Sequence, residues 1–526
     1  MNLTLVLTEK FQVPCWQAQV ILSATTNNIN ISNIIVINQD SASVPNLLSK
    51  FRLLISQQIG SFLQGNFRQV NLLDTLSRFI PIKNIDLVIN NGKLELDGVK
   101  LNSLNSDSII LNLSNLQISS PTLEIAAVLS LNLDRVKLQK SDEMAKSTNQ
   151  KSSELIRAQF VLNQIKKSSV PQIFEGFSRV HGYSKSKTHH EAIKMCTAVF
   201  KKSLEAISDS QTSELVTSNN WKFSSSNNKL SDSLPKRTIN VVKKLMYGVF
   251  YEKKWKIAKL EAELDFSTEN FLDLSDLTVA NIPVKHFGVA DPCGIFDEFI
   301  YCEILSSKTG KGVLGRWGNN EWELINFTFE GHISYPQIIE SDQKRYLFPE
   351  VSQWSSPVLF ELDSKGYPIG EPVALKGLKD IRALDGTLFR YEENWYLFAS
   401  KYPTSHERLN LYYSSSLFGE FIEHPQSPIV LDPRFSRMGG QIVPIGNRLV
   451  RFSQDCSEKY GSRLNIFEIR DLGISKYHEA YVGSIAFSDV FGPHAILKYR
   501  DTYYLDFYTE EFSFFAGYRR LRAKFL

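Results

Sequence analysis

In the second half of the chain, short runs of alternating apolar and polar residues come in pairs. Each pair has a small or polar start, an alternating strand, a turn of Asp, Glu, Asn, Gly or Lys, and an aromatic-rich strand. The units are DPCGIFDEFIYCEI from Asp291, YPQIIESDQKRYLFPE from Tyr335, DGTLFRYEENWYLFAS from Asp385, GGQIVPIGNRLVRFSQD from Gly439 and PHAILKYRDTYYLDFY from Pro493, with starts 44, 50, 54 and 54 residues apart. A hairpin recurring at this period predicts propeller blades. Five units predict an all-β five-bladed β-propeller of four-stranded blades over residues 287–515, within a domain 280–526. A β-sandwich with irregular hairpins is the competing arrangement.

The first half has a different rhythm. Apolar runs at Leu3–Leu7, Asn33–Asn38, Ile85–Asn90 and Ser108–Leu113 read as buried strands, and the spacing over Pro14–Leu22, Leu48–Leu63 and His189–Ala206 reads as helix. Strands alternating with helices predict an α/β, Rossmann-like unit over residues 1–275. No glycine fingerprint follows the first strand, so dinucleotide binding is not indicated. Stretches rich in Ser, Asn and Lys at 138–154 and 208–236 read as linkers or mobile loops.

Composition changes this picture little. Of 526 residues, 43% are hydrophobic and 22% charged, and 59 Lys and Arg against 56 Asp and Glu leave a net charge of +3. That balance argues against a nucleic-acid partner recognised through bulk charge. The five cysteines show no metal-ligand spacing and read as reduced, buried thiols. The opening MNLTLVLTEKF reads as a strand, not a signal peptide, and the expectation is a cytoplasmic location, free or peripheral at the inner membrane. No metal site is predicted.

The innermost strand of each blade lines the axial channel, so its start faces one mouth. Asp291, Tyr335, Asp385, Gly439 with Gly440, and His494 should therefore converge, with Glu350 and Asp455 closing the second and fourth hairpins. Asp291, Glu350 and Asp385 are the candidate catalytic acids. Tyr335, Arg437, Asp455 and His494 are the candidate substrate-binding residues, Arg437 through its planar fork. Carboxylates stabilise the positive charge that develops in sugar transfer, and a second carboxyl group can move a proton. Trp317 and Trp354 are candidates for sugar stacking. The basic, aromatic tail Gly517–Leu526 suits either contact with an anionic membrane surface or packing on the propeller.

Three short motifs carry a resemblance. Ala290–Pro292, Ile333–Pro336 and Pro349–Glu350 resemble five-bladed sugar enzymes of the arabinanase and β-xylosidase type. Ser436–Gly461 and Phe491–His494 resemble the propeller domain of glucosamine inositolphosphorylceramide transferases. Related bacterial proteins carry that propeller behind a formyltransferase-like domain, which Val13–Trp16 and Ile85–Asn90 resemble loosely; the Asn, His and Asp set of formyl transfer is not visible. The resemblance implies a glycosyltransferase of bacterial surface-polysaccharide synthesis, with a nucleotide-sugar donor, a glycan acceptor and an active centre at the channel mouth. A glycoside hydrolase and a non-catalytic glycan-binding propeller are the alternatives.

Overall fold

The computed structural model describes residues 232–525 apart from 282–285, 307–310, 326–330, 352 and 403–405, together with 172–208 and separate strands before residue 226. The chain divides into two compact units: residues 1–136, 156–213 and 225–231 form one, and residues 137–155, 214–224 and 232–526 the other.

In the first unit Asn2–Thr8 pairs in parallel with Asn30–Ile37 and with Ser108–Asn112, which in turn runs parallel to Ala127–Leu138. Glu154–Asn163 and Gln172–Arg179 extend the sheet. Helix α1 (Lys185–Ser208) packs on Gln172–Arg179 through the buried Ile193, Met195, Val199 and Phe200. The helices expected at Pro14–Leu22 and Leu48–Leu63 lie outside the described residues, as does most of the loop expected at 138–154. Of the expected strand at Ile85–Asn90, Ile89–Asn90 is described.

Among the described residues the second unit contains five sheets. The first holds His286–Phe296, Phe299–Ser306, Gly312–Gly318 and Glu321–Leu324; the second, Ile333–Ser341, Lys344–Val351, Val358–Leu362 and Pro368–Ala374; the third, Ala383–Tyr391, Asn394–Lys401, Asn410–Ser414 and Ile422–Glu423. Arg437–Met438 and Val443–Ile445 both pair with Arg448–Gln454 in the fourth, followed by Leu464–Leu472, Tyr477–Phe487 and Glu269–Leu272. The fifth is Ile496–Tyr499, Thr502–Phe512, Tyr251–Leu260 and Thr278–Val279.

Five apolar clusters join these sheets in a ring. Phe296, Leu314, Ile333 and Phe360 lie between the first and second sheets. Phe348, Leu359, Leu388 and Leu397 join the second to the third, and Phe398, Leu411, Met438 and Phe467 the third to the fourth. Phe452, Ile466, Leu505 and Phe507 join the fourth to the fifth, and Ile257, Val289 and Ile304 close the fifth onto the first. Each sheet thus buries both faces against its neighbours, as in a propeller, and the hydrophobic effect holds the ring closed.

Two expectations require correction. Four blades have four strands each, but the fourth has six. The boundary near 275–280 also falls too late, because the second unit takes in Asp232 onward. Tyr251–Leu260 pairs antiparallel with Thr502–Phe512 from Tyr251↔Phe512 to Leu260↔Tyr503. The last blade is therefore built from both ends of the unit, and a strand that precedes the first repeat closes the ring. The expected loop 208–236 contains a strand at Phe223–Ser225 and runs into helix α2 (Leu234–Phe250), where Pro235 suits the first turn. Helix α3 (Ala516–Phe525) ends the chain's described part.

Candidate functional site

Three inner strands break register at the same place: between Ala290 and Gly294, between Ser334 and Gln337, and between Leu384 and Thr387. At each bulge one residue is left-handed, Asp291 (φ 51), Tyr335 (φ 48) and Asp385 (φ 47). For residues with a Cβ this conformation costs energy and persists only where its surroundings over-determine it. Here the bulges aim backbone N–H groups at buried carboxylates. Asp291 N donates to Asp506 Oδ2 (2.9 Å), Tyr335 N to Asp291 Oδ2 (3.1 Å) and Asp385 N to Glu350 Oε2 (2.7 Å).

Acids from the second strands face these bulges. Glu303 pairs across from Ala290, and Glu350 from Ser334. Asp506 accepts the amides of His494 (2.9 Å) and Ala495 (2.8 Å). Asp291, Glu303, Glu350, Asp385 and Asp506 are all buried.

Two groups result. In the first, the His494 ring bridges Asp291 Oδ1 (3.2 Å from Nε2) and Asp506 Oδ2 (2.5 Å from Nδ1). Burial opposes a charge on this ring, but the carboxylates of Asp506 and Asp291 outweigh it and raise the pKa. Burial raises Asp291 to about 7, against the pull of His494. Trp255 covers the imidazole with its centroid 4.2 Å away. The ligand atoms of these three side chains lie close enough together to converge on a cation, and His494 Nδ1 and Asp291 Oδ1 are buried without a hydrogen-bond partner among the described residues.

In the second group Arg437 donates through Nε to Asp385 Oδ2 and lies 3.8 Å from Glu350 Oε2. Gln454 Nε2 adds a bond to Asp385 Oδ2 (2.7 Å). Burial raises Glu350 to about 8, with the adjacent Asp385 charge adding to it and Arg437 opposing. At Asp385 burial works upward too, but Arg437's charge and hydrogen bond, with a bond from Glu350, hold the group below the usual carboxylate range. One acid keeps its proton while its neighbour is ionised. Glu350 also lines a small recess with Trp354, Pro357, Ala383 and Gly386.

Tyr335 and a glycine tie the two groups to the fourth blade. The Tyr335 hydroxyl accepts from Gly440 N (2.6 Å) and donates to Gly440 O (2.9 Å). Gly440 has φ 137, and a Cβ there would lie 2.3 Å from Ile496 O, so the Gly439–Gly440 pair seals the fourth inner strand against the fifth.

Asp291, Glu350, Asp385, Tyr335, Arg437 and His494 are thus brought together in one buried network. Asp455 is not in it. Its carboxylate accepts from Ser457 N (2.9 Å) and Arg463 Nε (3.1 Å) within its own loop. That loop carries Tyr460, whose ring sits 5.1 Å from the Arg437 guanidinium and 5.4 Å from His494. Trp317 stacks on Trp322 on the outer strands of the first blade (5.8 Å), away from the inner strands. Sequence reasoning missed Glu303, Asp506, Gln454 and Trp255. The signal for the first two was an acid inside an aromatic strand, as in FIYCEIL and YYLDFY.

Residues 313–496 match the family model "Glucosamine inositolphosphorylceramide transferase 1, N-terminal". The rice (Oryza sativa subsp. japonica) protein glucosamine inositolphosphorylceramide transferase 1 is 28% identical over 196 residues, 35% of this chain and 26% of that protein. Its Arabidopsis thaliana namesake is 26% identical over 199 residues, 35% of this chain and 25% of that protein. The chain therefore spans about a quarter of the length of the curated relatives it matches. Among solved structures, an exo-1,5-α-L-arabinanase from a bovine ruminal metagenomic library is 13% identical, with TM-score 0.28 over 39% of this chain and 86% of that one. A GH43_1 enzyme from Xanthomonas citri is 13% identical, with TM-score 0.32 over 44% and 88%. The family match contains Tyr335, Glu350, Asp385, Arg437, Asp455 and His494, and leaves Asp291, Glu303 and Asp506 outside.

Proposed function

We propose that the propeller unit transfers a sugar from an activated donor, a nucleotide-sugar by class, to an acceptor hydroxyl. The observation that carries the reading is the Glu350–Asp385 pair, two adjacent carboxyl groups shifted in opposite directions, of which Glu350 lines the recess. Asp385, held ionised by Arg437, opposes positive charge at the anomeric carbon. The acceptor oxygen bonds to that carbon as the bond to the departing phosphate breaks, and Glu350 in its ionised form takes the acceptor's proton. Partial similarity to proteins named as transferases supports transfer to an acceptor over transfer to water. The same names make a glycolipid the first acceptor class to examine, with surface polysaccharide as the second.

A thermal-shift screen of nucleotide-sugars tests donor binding. A donor at about 100 times its Kd adds about 2.7 kcal/mol to stability. One nucleotide-sugar should raise the melting temperature of the wild-type chain. Release of free sugar at the same rate with and without acceptor would instead identify a hydrolase.

A further inference from the structure

The apolar residues of α2 face solvent. With about 3.6 residues per turn, Leu234, Ile239, Val241, Val242, Leu245, Met246 and Val249 fall on one half of the helix. All of them are exposed, Leu234 and Leu245 by 68% and 63%. The opposite half carries Lys236, Arg237, Asn240, Lys243, Lys244 and Tyr247. Of these, Arg237, Asn240 and Tyr247 are partly covered. An amphipathic helix on a soluble surface ordinarily buries its apolar stripe; α2 has no buried residue at all.

The mounting is specific. α2 leads into Tyr251–Leu260, and α3 follows Thr502–Phe512, so the paired strands of the fifth blade bring both helices to one end of it. Arg520 of α3 donates to the carbonyls of Tyr247 (3.1 Å) and Gly248 (2.5 Å) at the end of α2. Arg519 is held by Glu252 (2.6 Å) and Ser513 (2.6 Å). These contacts leave Tyr518 and Leu521 exposed, next in sequence to the exposed Phe512, Phe514 and Phe515. Phe512 and Phe514 pack edge to face at 4.9 Å, and Phe250 stacks on Phe512 at 5.8 Å. Exposed apolar residues thus lie on both of these adjoining helices and on the segment between Phe512 and Phe515.

Charge identifies what that surface meets. α2 carries Lys236, Arg237, Lys243 and Lys244, with Lys236 paired to Asp232, and α3 adds Arg522 and Lys524 beyond the Arg519 and Arg520 already engaged; neither helix contains an acidic residue, in a chain whose net charge is only +3. Exposed apolar side chains flanked by cations fit the interface of a bilayer with anionic headgroups. We propose that α2 and α3 form a platform on which the propeller unit lies on an anionic membrane, with α2 as the principal element. This does not rest on the catalytic reading.

The test is co-sedimentation of the full chain with vesicles of phosphatidylglycerol and phosphatidylcholine in equal parts, and with vesicles of phosphatidylcholine alone. Binding should favour the anionic vesicles and weaken as salt rises. Lys243→Gln with Lys244→Gln should lower the partition coefficient about fivefold per lysine. Leu245→Glu with Met246→Glu should lower it on the order of tenfold or more, and since both positions are exposed the melting temperature should hold. Absence of binding to anionic vesicles, equal binding to both vesicle types, or binding indifferent to Leu245→Glu with Met246→Glu would overturn the proposal. So would a concentration-dependent dimer, seen by analytical ultracentrifugation, that dissociates in that double variant while vesicles go unbound.

Discussion

Glu350 and Asp291 keep protons that the same groups in an unfolded chain would release near 4.5 and 3.8. Between those values and about 8 and 7, the folded state binds more protons than the unfolded one, so stability falls as pH rises. His494, raised above 6.5, acts with the same sign: its contribution is complete below 6.5 and is lost as pH climbs through the folded value. His181, His190 and His332, lowered by burial, act with the opposite sign, so the test is comparative: in urea denaturation from pH 5 to pH 9, Glu350→Gln should make the slope of unfolding free energy against pH less negative than in wild type, and an identical slope would contradict the described network. Arg437 tests the network from its cationic side. Arg437→Met leaves the Asp385 charge buried without its main partner and should cost about 3–5 kcal/mol. Adding Asp385→Asn should recover part of that loss, read as a rise in the denaturation midpoint. Asp291, Tyr335 and Asp385 were legible because a blade start is a fixed place in a repeat. Glu303 and Asp506 were not, because an acid in the middle of an aromatic strand looks like an exposed position until its partner strand is known.

The strand Tyr251–Leu260 decides the fold at the level of elements, and its sequence, YEKKWKIAKL, lies ahead of the first repeat. Its apolar members Trp255, Ile257 and Leu260 are buried, but four lysines in ten residues hide them from a search for aromatic hairpins. Only the unpaired edge of Thr502–Phe512 demands a partner, and edges are not visible in a linear pattern. A fragment starting at Ala280 should consequently fail to fold cooperatively, whereas one starting at Asp232 should give a single unfolding transition by circular dichroism. The bulges are a second element-level feature that spacing did not reveal. Tyr335→Phe removes the hydroxyl that bridges the second blade to Gly440 and should destabilise by about 1–3 kcal/mol, the cost of leaving a buried donor unsatisfied. A variant as stable as wild type would show that the bridge is not needed.

For the whole molecule, the repeat made the number of blades and the direction of the site readable, since five units at four near-equal spacings and five inter-blade clusters describe the same ring. The first unit was read less far, with parallel pairing seen at Asn2–Thr8 and the flanking helices outside the described residues. The face formed by α2 and α3 went unread in its larger part, because the stretch before Leu234 suggests a loop and hides where the helix begins. The ring places one ionised and one protonated carboxyl group side by side, with Glu350 at a recess, and the proposal is that this pair carries sugar transfer. The measurement that bears on it most directly is transfer of labelled sugar from a nucleotide-sugar panel to glycolipid and polysaccharide acceptors, comparing wild type with Glu350→Gln as pH is varied. The expected result is product formation that increases as pH approaches about 8, where Glu350 ionises, and a loss of at least about 100-fold in Glu350→Gln with no fall in melting temperature. Undiminished transfer by Glu350→Gln would contradict the account.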